Sequence, residues 1–257
     1  IDSVPNRGYC LLTSPDAMTE AEIRSYLHTE KMGKSLVCFA DTDSTNIQAK
    51  LLAEQNAPDG TLVCSDQQTK GRGRRGRAWD SPPGEAIYMS LLLRPDIHPE
   101  HASMLTLVMG MAVADAINEL MGGESAGIKW PNDVVLKGKK VSGTLTEMST
   151  EMDCIHYVVI GTGINVNTQK FPKELDQATS LRLAAGHNFR RAELIALCMK
   201  YFEKYYALFE RTEDLSLLID EYNRLLVNRN REGRVLEPGN EYTGLALGIN
   251  NQGELLV

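Results

Sequence analysis

The sequence predicts an α+β fold, a mixed β-sheet with helices packed on one side, followed by a small β module. Three observations carry this expectation. A strand, turn and helix pattern at 35–52 is followed by further β-rich runs at 61–65 and 86–93. A long apolar helical repeat at 101–121 leads into short, glycine-punctuated β-rich segments at 127–166. Amphipathic helical patterns at 190–209 and 215–226 then give way to Gly-rich strand patterning over 235–257.

Each element has a local reason. Thr19 and Glu22 have capping-box spacing ahead of Ile23, Tyr26 and Leu27, so a short helix follows. Residues 35–40 read as a buried strand. Asp41, Asp43 and Ser44 offer N-caps to a second helix with Ile47, Leu51 and Leu52 on one face. The strand at 61–65 delivers the chain into a basic loop, and 86–93 takes it out again. Met104, Leu105, Val108, Met111, Ala112, Asp115 and Ile117 recur at near-helical spacing, which makes this the longest helix and a central one. The segments 127–136, 141–148 and 155–166, with a Lys-Gly-Lys-Lys turn at 137–140, form a meander. The mixture of Asn, Arg and Gly at 228–234 marks a linker to the β module.

The chain has 257 residues, enough for one large domain with a small one beside it. Its net charge of -7 opposes general polyanion binding, so positive charge acts only locally. Five cysteines (Cys10, Cys38, Cys64, Cys154, Cys198) are scattered with no CxxC pair, as suits reduced thiols in a cytoplasm. The most apolar stretch, 104–116, is too short and too well flanked by charge to span a bilayer, so a soluble protein is expected. The chain starts at Ile1 without an initiator Met or a signal pattern, and we expect a piece of a longer product.

The chemistry concentrates in four places. Residues 67–79 set five cations and three glycines in this acidic chain and end on Trp79. Glycines allow close approach to a ligand and arginines offer donor forks for phosphate or carboxylate, so the segment reads as a lid over an anion, with a solvated charge run as the competing reading. Lys129-Trp130-Pro131-Asn132-Asp133 precedes Lys140 and Gly143. Strand alternation puts Lys129 and Pro131 on one face, and the 137–139 turn returns Lys140 to the same pocket; exposed hairpin lysines are the alternative. Asp41 to Asn46 supplies hydroxyls and an amide that read a polar head group or merely cap a helix. Gly161-Thr162-Gly163-Ile164-Asn165 ends a strand without the third glycine of a dinucleotide loop. His98 and His101, just ahead of a helix, make a poor zinc pair, and neither a P-loop nor a Gly-x-Ser-x-Gly elbow occurs.

Together Asp43-Ser44-Thr45-Asn46, the run from Gln68 to Arg77 with Trp79, Lys129 to Asp133, Lys140-Val141-Ser142-Gly143 with Glu147, and Gly161-x-Gly163-Ile164-Asn165 resemble the biotin protein ligases. The match holds in order and spacing from about residue 35 onward. The resemblance implies a class II synthetase-like catalytic domain at 21–228 and part of an SH3-like barrel at 229–257. Residues 1–20 would be the remnant of a linker from an upstream winged helix-turn-helix domain. It also implies two chemical steps: biotin and ATP form biotinyl-5'-AMP, and a lysine of a biotin carboxyl carrier protein then takes the biotinyl group. By resemblance, Ser44, Thr45, Asn46 and Gln68 hold the ureido head, with Gly161 and Gly163 lining it. Arg72, Gly73 and Arg74 close as the lid, Lys140 sits between carboxylate and α-phosphate, and Trp79 stacks on adenine. Asn132, Asp133 and Asn165 serve the nucleotide, Asp133 also Mg²⁺. Homodimers, ligand-promoted in some members, are implied; operator binding is not assigned to this chain alone, although the full-length protein is a candidate biotin-operon repressor. Lys70, before Gly71, stands where a smaller residue is expected. A lipoate ligase predicts different signatures that are not found, and a plain nucleic-acid binder is opposed by the acidic balance.

Overall fold

The computed structural model describes residues 2–4, 8–10, 15–151, 154–236 and 239–257. Parts of the expected linker, including Cys10's surroundings at 11–14, therefore lie outside the described residues. Two short strands, β1 (Asp2–Val4) and β2 (Gly8–Cys10), pair antiparallel ahead of helix α1 (Glu20–Tyr26). The Thr19 hydroxyl accepts from the Glu22 N–H at 3.3 Å, as its sequence pattern predicts. There follow β3 (Leu36–Thr42), α2 (Thr45–Glu54), β4 (Thr61–Gln68), β5 (Ala86–Leu93), α3 (Leu105–Met121), β6 (Ala126–Lys129), β7 (Asp133–Leu136), β8 (Lys139–Glu151) and β9 (Cys154–Asn165). After them come α4 (Leu181–Ala185), α5 (Arg191–Thr212) and α6 (Ile219–Leu225).

One seven-stranded sheet runs β3-β4-β5-β9-β8-β7-β6, with β3 and β4 parallel and every other pair antiparallel. It is the mixed sheet the sequence predicts. Helices cover both of its faces, however, and not one. Ile87, Met89, Leu91 and Leu93 join the core beneath α3 and α5, whereas Leu92 joins Val63, Tyr157 and Val159 beneath α2. Strands apolar on alternate and intervening positions need cover on both sides. The α2 face that makes this contact is Ala49 and Ala53, and Leu51, expected inward, is 51% exposed. Small side chains let α2 lie close to the sheet, which puts Thr45 and Asn46 against the strands as well.

Pro99–Met121, a 3₁₀ turn continued by α3, is long and apolar enough to cross a membrane. It lies instead at the centre of the core, buried between the sheet and α5, as expected, but α3 with 17 residues is not the longest α-helix: α5 has 22, because its amphipathic pattern runs on to Thr212. The predicted strand at 127–136 is two strands, because Pro131 cannot donate to a ladder and the chain turns at 130–132. Lys129 consequently ends β6 exposed and shares no face with Pro131.

At the C-terminal end β10 (Glu232–Val235) pairs with β11 (Tyr242–Leu245), and β12 (Gly248–Ile249) with β13 (Leu255–Leu256). The second hairpin is tied to the main body: Trp130 Nε1 donates to the Gly253 carbonyl at 2.9 Å, and Ile249 is buried in the principal core.

Candidate active site

The turn from β3 into α2 presents the first group of residues. Asp43 accepts from Gln48 Nε2 (3.0 Å), the Ser44 N–H (2.6 Å) and the Thr42 hydroxyl (3.2 Å). The Gln48 bond foremost holds its carboxyl below the usual range, against the push of burial. Ser44 occupies the N-cap position of α2 but makes no capping bond with its side chain, and lines a cavity instead. Gln68 Oε1 accepts from the Thr45 N–H (2.9 Å), while Gln68 Nε2 donates to Ser81 Oγ (3.0 Å). Asn46 is bonded to Ser90 and Glu147.

Glycine makes the floor of this cavity possible by close approach. A Cβ on Gly161 would stand 2.0 Å from Asn46 Oδ1, and one on Gly163 would stand 2.5 Å from the Trp79 ring. At Gly143 a Cβ would meet Lys140 Nζ and Trp79 at 3.1 Å.

The basic loop folds back as an irregular hairpin. Gln68 donates to the Ser81 carbonyl, Trp79 to Gly71 and Gly73 to Arg77, at 3.2, 3.0 and 2.7 Å. The tip is a 3₁₀ turn, Arg74–Gly76, with Arg75 at φ 56° and Gly76 at φ 72°. Its base is anchored where the Lys70 N–H donates to the Asp43 carbonyl at 2.8 Å. That accounts for Lys70: the position needs a backbone donor and leaves its side chain exposed. Gly71 has no such latitude, since its Cβ would fall 2.3 Å from the Trp79 carbonyl. Arg74 Nη1 reaches Asn132 Oδ1 at 2.8 Å, and Asn132 in turn bonds β8 through Thr144.

The 137–139 turn brings Lys140 back beside 130–133, as expected. Its ammonium lies 2.6 Å from Asp133 Oδ1 and 5.5 Å from the centre of the Trp79 ring. Two spaces meet here. A small one of about 50 Å³ is lined by Ser44, Thr45, Asn46, Gln68, Arg72, Gly161 and Gly163. Beside it runs a groove of about 670 Å³ that includes Asp133, Asn165, Phe171 and Pro172. Gly73, Arg74, Trp79, Tyr88, Asn132 and Lys140 border both and form the wall between them.

Every predicted site residue therefore borders one of the two spaces; Asp133 and Asn165 border only the groove. Asn165 already spends an amide bond on the Thr179 carbonyl (3.1 Å), which ties down the 168–178 segment. Sequence reasoning missed Ser81 and Ser90, left Glu147 without a role, and had no reading of 168–178. Ser90 had a signal, the one small polar residue in the otherwise apolar and aromatic run Ala86–Leu93.

Comparison with known proteins accords with this geometry. Residues 37–165 match the Biotin/lipoate A/B protein ligase family. The Bifunctional ligase/repressor BirA of Bacillus subtilis is 43% identical over 262 residues, spanning 100% of this chain and 79% of that protein. A biotin acetyl-CoA-carboxylase ligase of Mycobacterium tuberculosis is 32% identical, over 86% of this chain and 82% of its own. Among solved structures, the biotin protein ligase of Aquifex aeolicus in complex with biotin and ATP superposes with a TM-score of 0.75 at 32% identity, covering 87% of this chain and 91% of that one.

Proposed function

This chain belongs to the Biotin/lipoate A/B protein ligase family, and from that premise we propose that it is a biotin protein ligase: it joins biotin and ATP as biotinyl-5'-AMP and passes the biotinyl group to one lysine of a biotin carboxyl carrier domain of acetyl-CoA carboxylase or a related carboxylase. The observation that carries this is the shared wall, where Lys140 and Trp79 stand between a hydrogen-bonding cavity and a groove wide enough for a nucleotide. In this reading Ser44, Thr45, Asn46 and Gln68 receive the ureido head, and Gly161 and Gly163 make room for it.

Bringing a carboxylate against a polyphosphate costs roughly 4 kcal/mol at 4 Å in an effective dielectric near 20. Lys140 and Arg74 offset that repulsion at the wall, with Arg72 in the small space beside it, and they do so without reorganising as charge develops. The remaining work is positioning: Trp79 offers a flat face to adenine, and Asn132, Asp133 and Asn165 line the groove for the nucleotide. Among the described residues no cluster of three or more acidic, His or Cys side chains holds a metal by itself. One carboxylate with substrate phosphates is the usual Mg²⁺ set, and Asp133, whose buried Oδ1 has only the Lys140 ammonium beside it, fits. Bound there, Mg²⁺ would screen the polyphosphate charge.

The reading is tested by incubating the protein with biotin, Mg-ATP and an acceptor domain. Mass spectrometry should find one biotin on one lysine; no adduct, together with no heat of biotin binding, would overturn it.

The lid has a second task, because an acyl-adenylate exposed to water or stray amines is lost. Arg74→Gly removes the bond to Asn132 that latches the tip. It is expected to leave adenylate synthesis partly intact and to raise labelling of bystander lysines about tenfold, on the scale of one charge-assisted hydrogen bond. Equal or lower bystander labelling would contradict this.

For assembly we read β8 as the contact. Past Thr144, whose backbone is bonded to Asn132, it pairs with β9 alone, leaving the edge of 145–151 open and Met148 49% exposed. A second copy adding there gives a homodimer, promoted by adenylate. Light scattering should show its mass with biotin and ATP, and a charge placed at Met148 should abolish it.

We assign 1–20 as a linker, 21–228 as the catalytic domain and 229–257 as part of an SH3-like module. Repression of a biotin operon, as the name of the relatives called ligase/repressor suggests, is a candidate role of the full-length protein, which operator-binding assays would test. A cytoplasmic location suits the free thiols Cys38 and Cys64, which face each other across β3 and β4; fractionation of cells would decide it.

A further inference from the structure

Asn46 is 5% exposed, and its amide is held at both ends by strands distant in sequence. Glu147 Oε2 lies 2.7 Å from Asn46 Nδ2. A carboxylate only accepts, so the atom facing it must be the amide nitrogen. Ser90 Oγ lies 2.6 Å from Asn46 Oδ1 and 2.7 Å from Thr45 Oγ1. Its single proton goes to the Asn46 oxygen, which has none of its own; the Thr45 hydroxyl can donate to Ser90, because Gln68 Oε1, 3.2 Å from Thr45 Oγ1, already accepts from the Thr45 N–H. Lys50 Nζ sits 2.5 Å from the second Glu147 oxygen. Burial pushes the Glu147 carboxyl up, but the bonds from Lys50 and Asn46, with Arg72 nearby, hold it below the usual range.

We propose that Glu147, together with Ser90, is a positioning residue that locks the Asn46 amide in one orientation, so that its remaining N–H faces the guest and the cavity selects a carbonyl oxygen over an imino group. The proposal deepens the biotin ligase reading and rests on it. The chemistry is one of unlike partners. A cyclic urea presents a carbonyl acceptor, which a fixed N–H satisfies. An analogue with an imino group in its place presents N–H of its own, leaving two donors opposed in a buried site. An amide free to turn over would accept either. A plain ion pair between α2 and β8 would explain the Lys50 contact, but it would need neither Asn46 nor Ser90 between the same strands.

The test compares wild type with E147A, E147Q, S90A and K50M by biotin-dependent pyrophosphate release, using biotin and 2-iminobiotin. E147A should raise the KM for biotin about tenfold and cut the preference for biotin over 2-iminobiotin by a similar factor, about what one buried hydrogen bond is worth. The KM for ATP and kcat should stay within about twofold, because the groove is untouched. E147Q, which can still accept from Nδ2, and K50M, which leaves that bond in place, should both stay within about threefold of wild type. S90A, which frees the other end, should lower the preference in the same direction and serves if E147A does not fold. An unchanged preference in E147A and S90A, or a parallel rise in both KM values, overturns the proposal. Wild type that releases no pyrophosphate with biotin overturns the ligase reading itself, whereas active wild type beside unaffected variants removes only the role of Glu147.

Discussion

Replacing Lys140 with alanine should cut pyrophosphate release from biotin and ATP by about 10²–10³-fold, the usual cost of removing one preorganised charge from a reacting centre. The ammonium borders both spaces and is backed by Asp133 at 2.6 Å and by the Trp79 ring, so it is held at the wall without substrate. Its backbone is held too, since Lys140 N–H donates to the Gln177 carbonyl and its own carbonyl accepts from Thr179. Biotin binding by calorimetry should weaken far less than the rate, because the residues we propose for the ureido head lie on β4 and at the start of α2. Arginine should not restore the rate: Gly143 leaves the ammonium terminus only 3.1 Å from where a Cβ would stand, and a planar fork is bulkier. Near-normal pyrophosphate release by the alanine variant would remove Lys140 from this role.

The largest effect on folding is expected at Arg191. It is 2% exposed and bonds Asp16 through Nε at 2.8 Å, Asp66 through Nη1 at 2.6 Å, and the Ala86 carbonyl at 3.1 Å. Arg191→Met would remove the guanidinium donor from Asp66 and from the Ala86 and Asp16 carbonyls, while the Asp16 carboxylate keeps only the backbone N–H of residue 191 and Asn167 Nδ2. Breaking a buried pair costs about 3–5 kcal/mol, and the low end applies because the two Asp side chains are 27% and 30% exposed. Urea unfolding should show a loss of about 3 kcal/mol with an unchanged m-value. The site should feel it as well, since Asp66 lies on β4 two residues before Gln68. A loss under about 1 kcal/mol would mean that water replaces the guanidinium readily.

Much of this protein was legible before any coordinates. The Thr19 cap, the strands at 61–65 and 86–93 and the central helix follow from local patterns, because capping, alternation and 3.6-residue periodicity are near-neighbour effects. The glycine and arginine spacing of 67–79 likewise announced a closing segment. What failed were judgements about which side of an element is covered. Ile47, Leu51 and Leu52 looked like the inward face of α2, yet the sheet takes Ala49 and Ala53 with Leu52 packed beside them, and Leu51 is exposed, since closeness to β5 and β9 matters more there than side-chain size. Pro131 was placed within a strand although its missing N–H ends one.

The sequence by itself determined most element types, the turn-back of 67–79 and the residues that border the two spaces, because each is encoded within a few neighbouring positions. Only the tertiary structure decided how they cooperate. Ser90 and Glu147 reach Asn46 from 44 and 101 residues away, Asp16 meets Arg191 across 175, and Lys140 and Trp79 meet at one wall. Contacts of that range depend on sheet order and register, which follow from how apolar faces are shared out over the whole chain and from no local pattern.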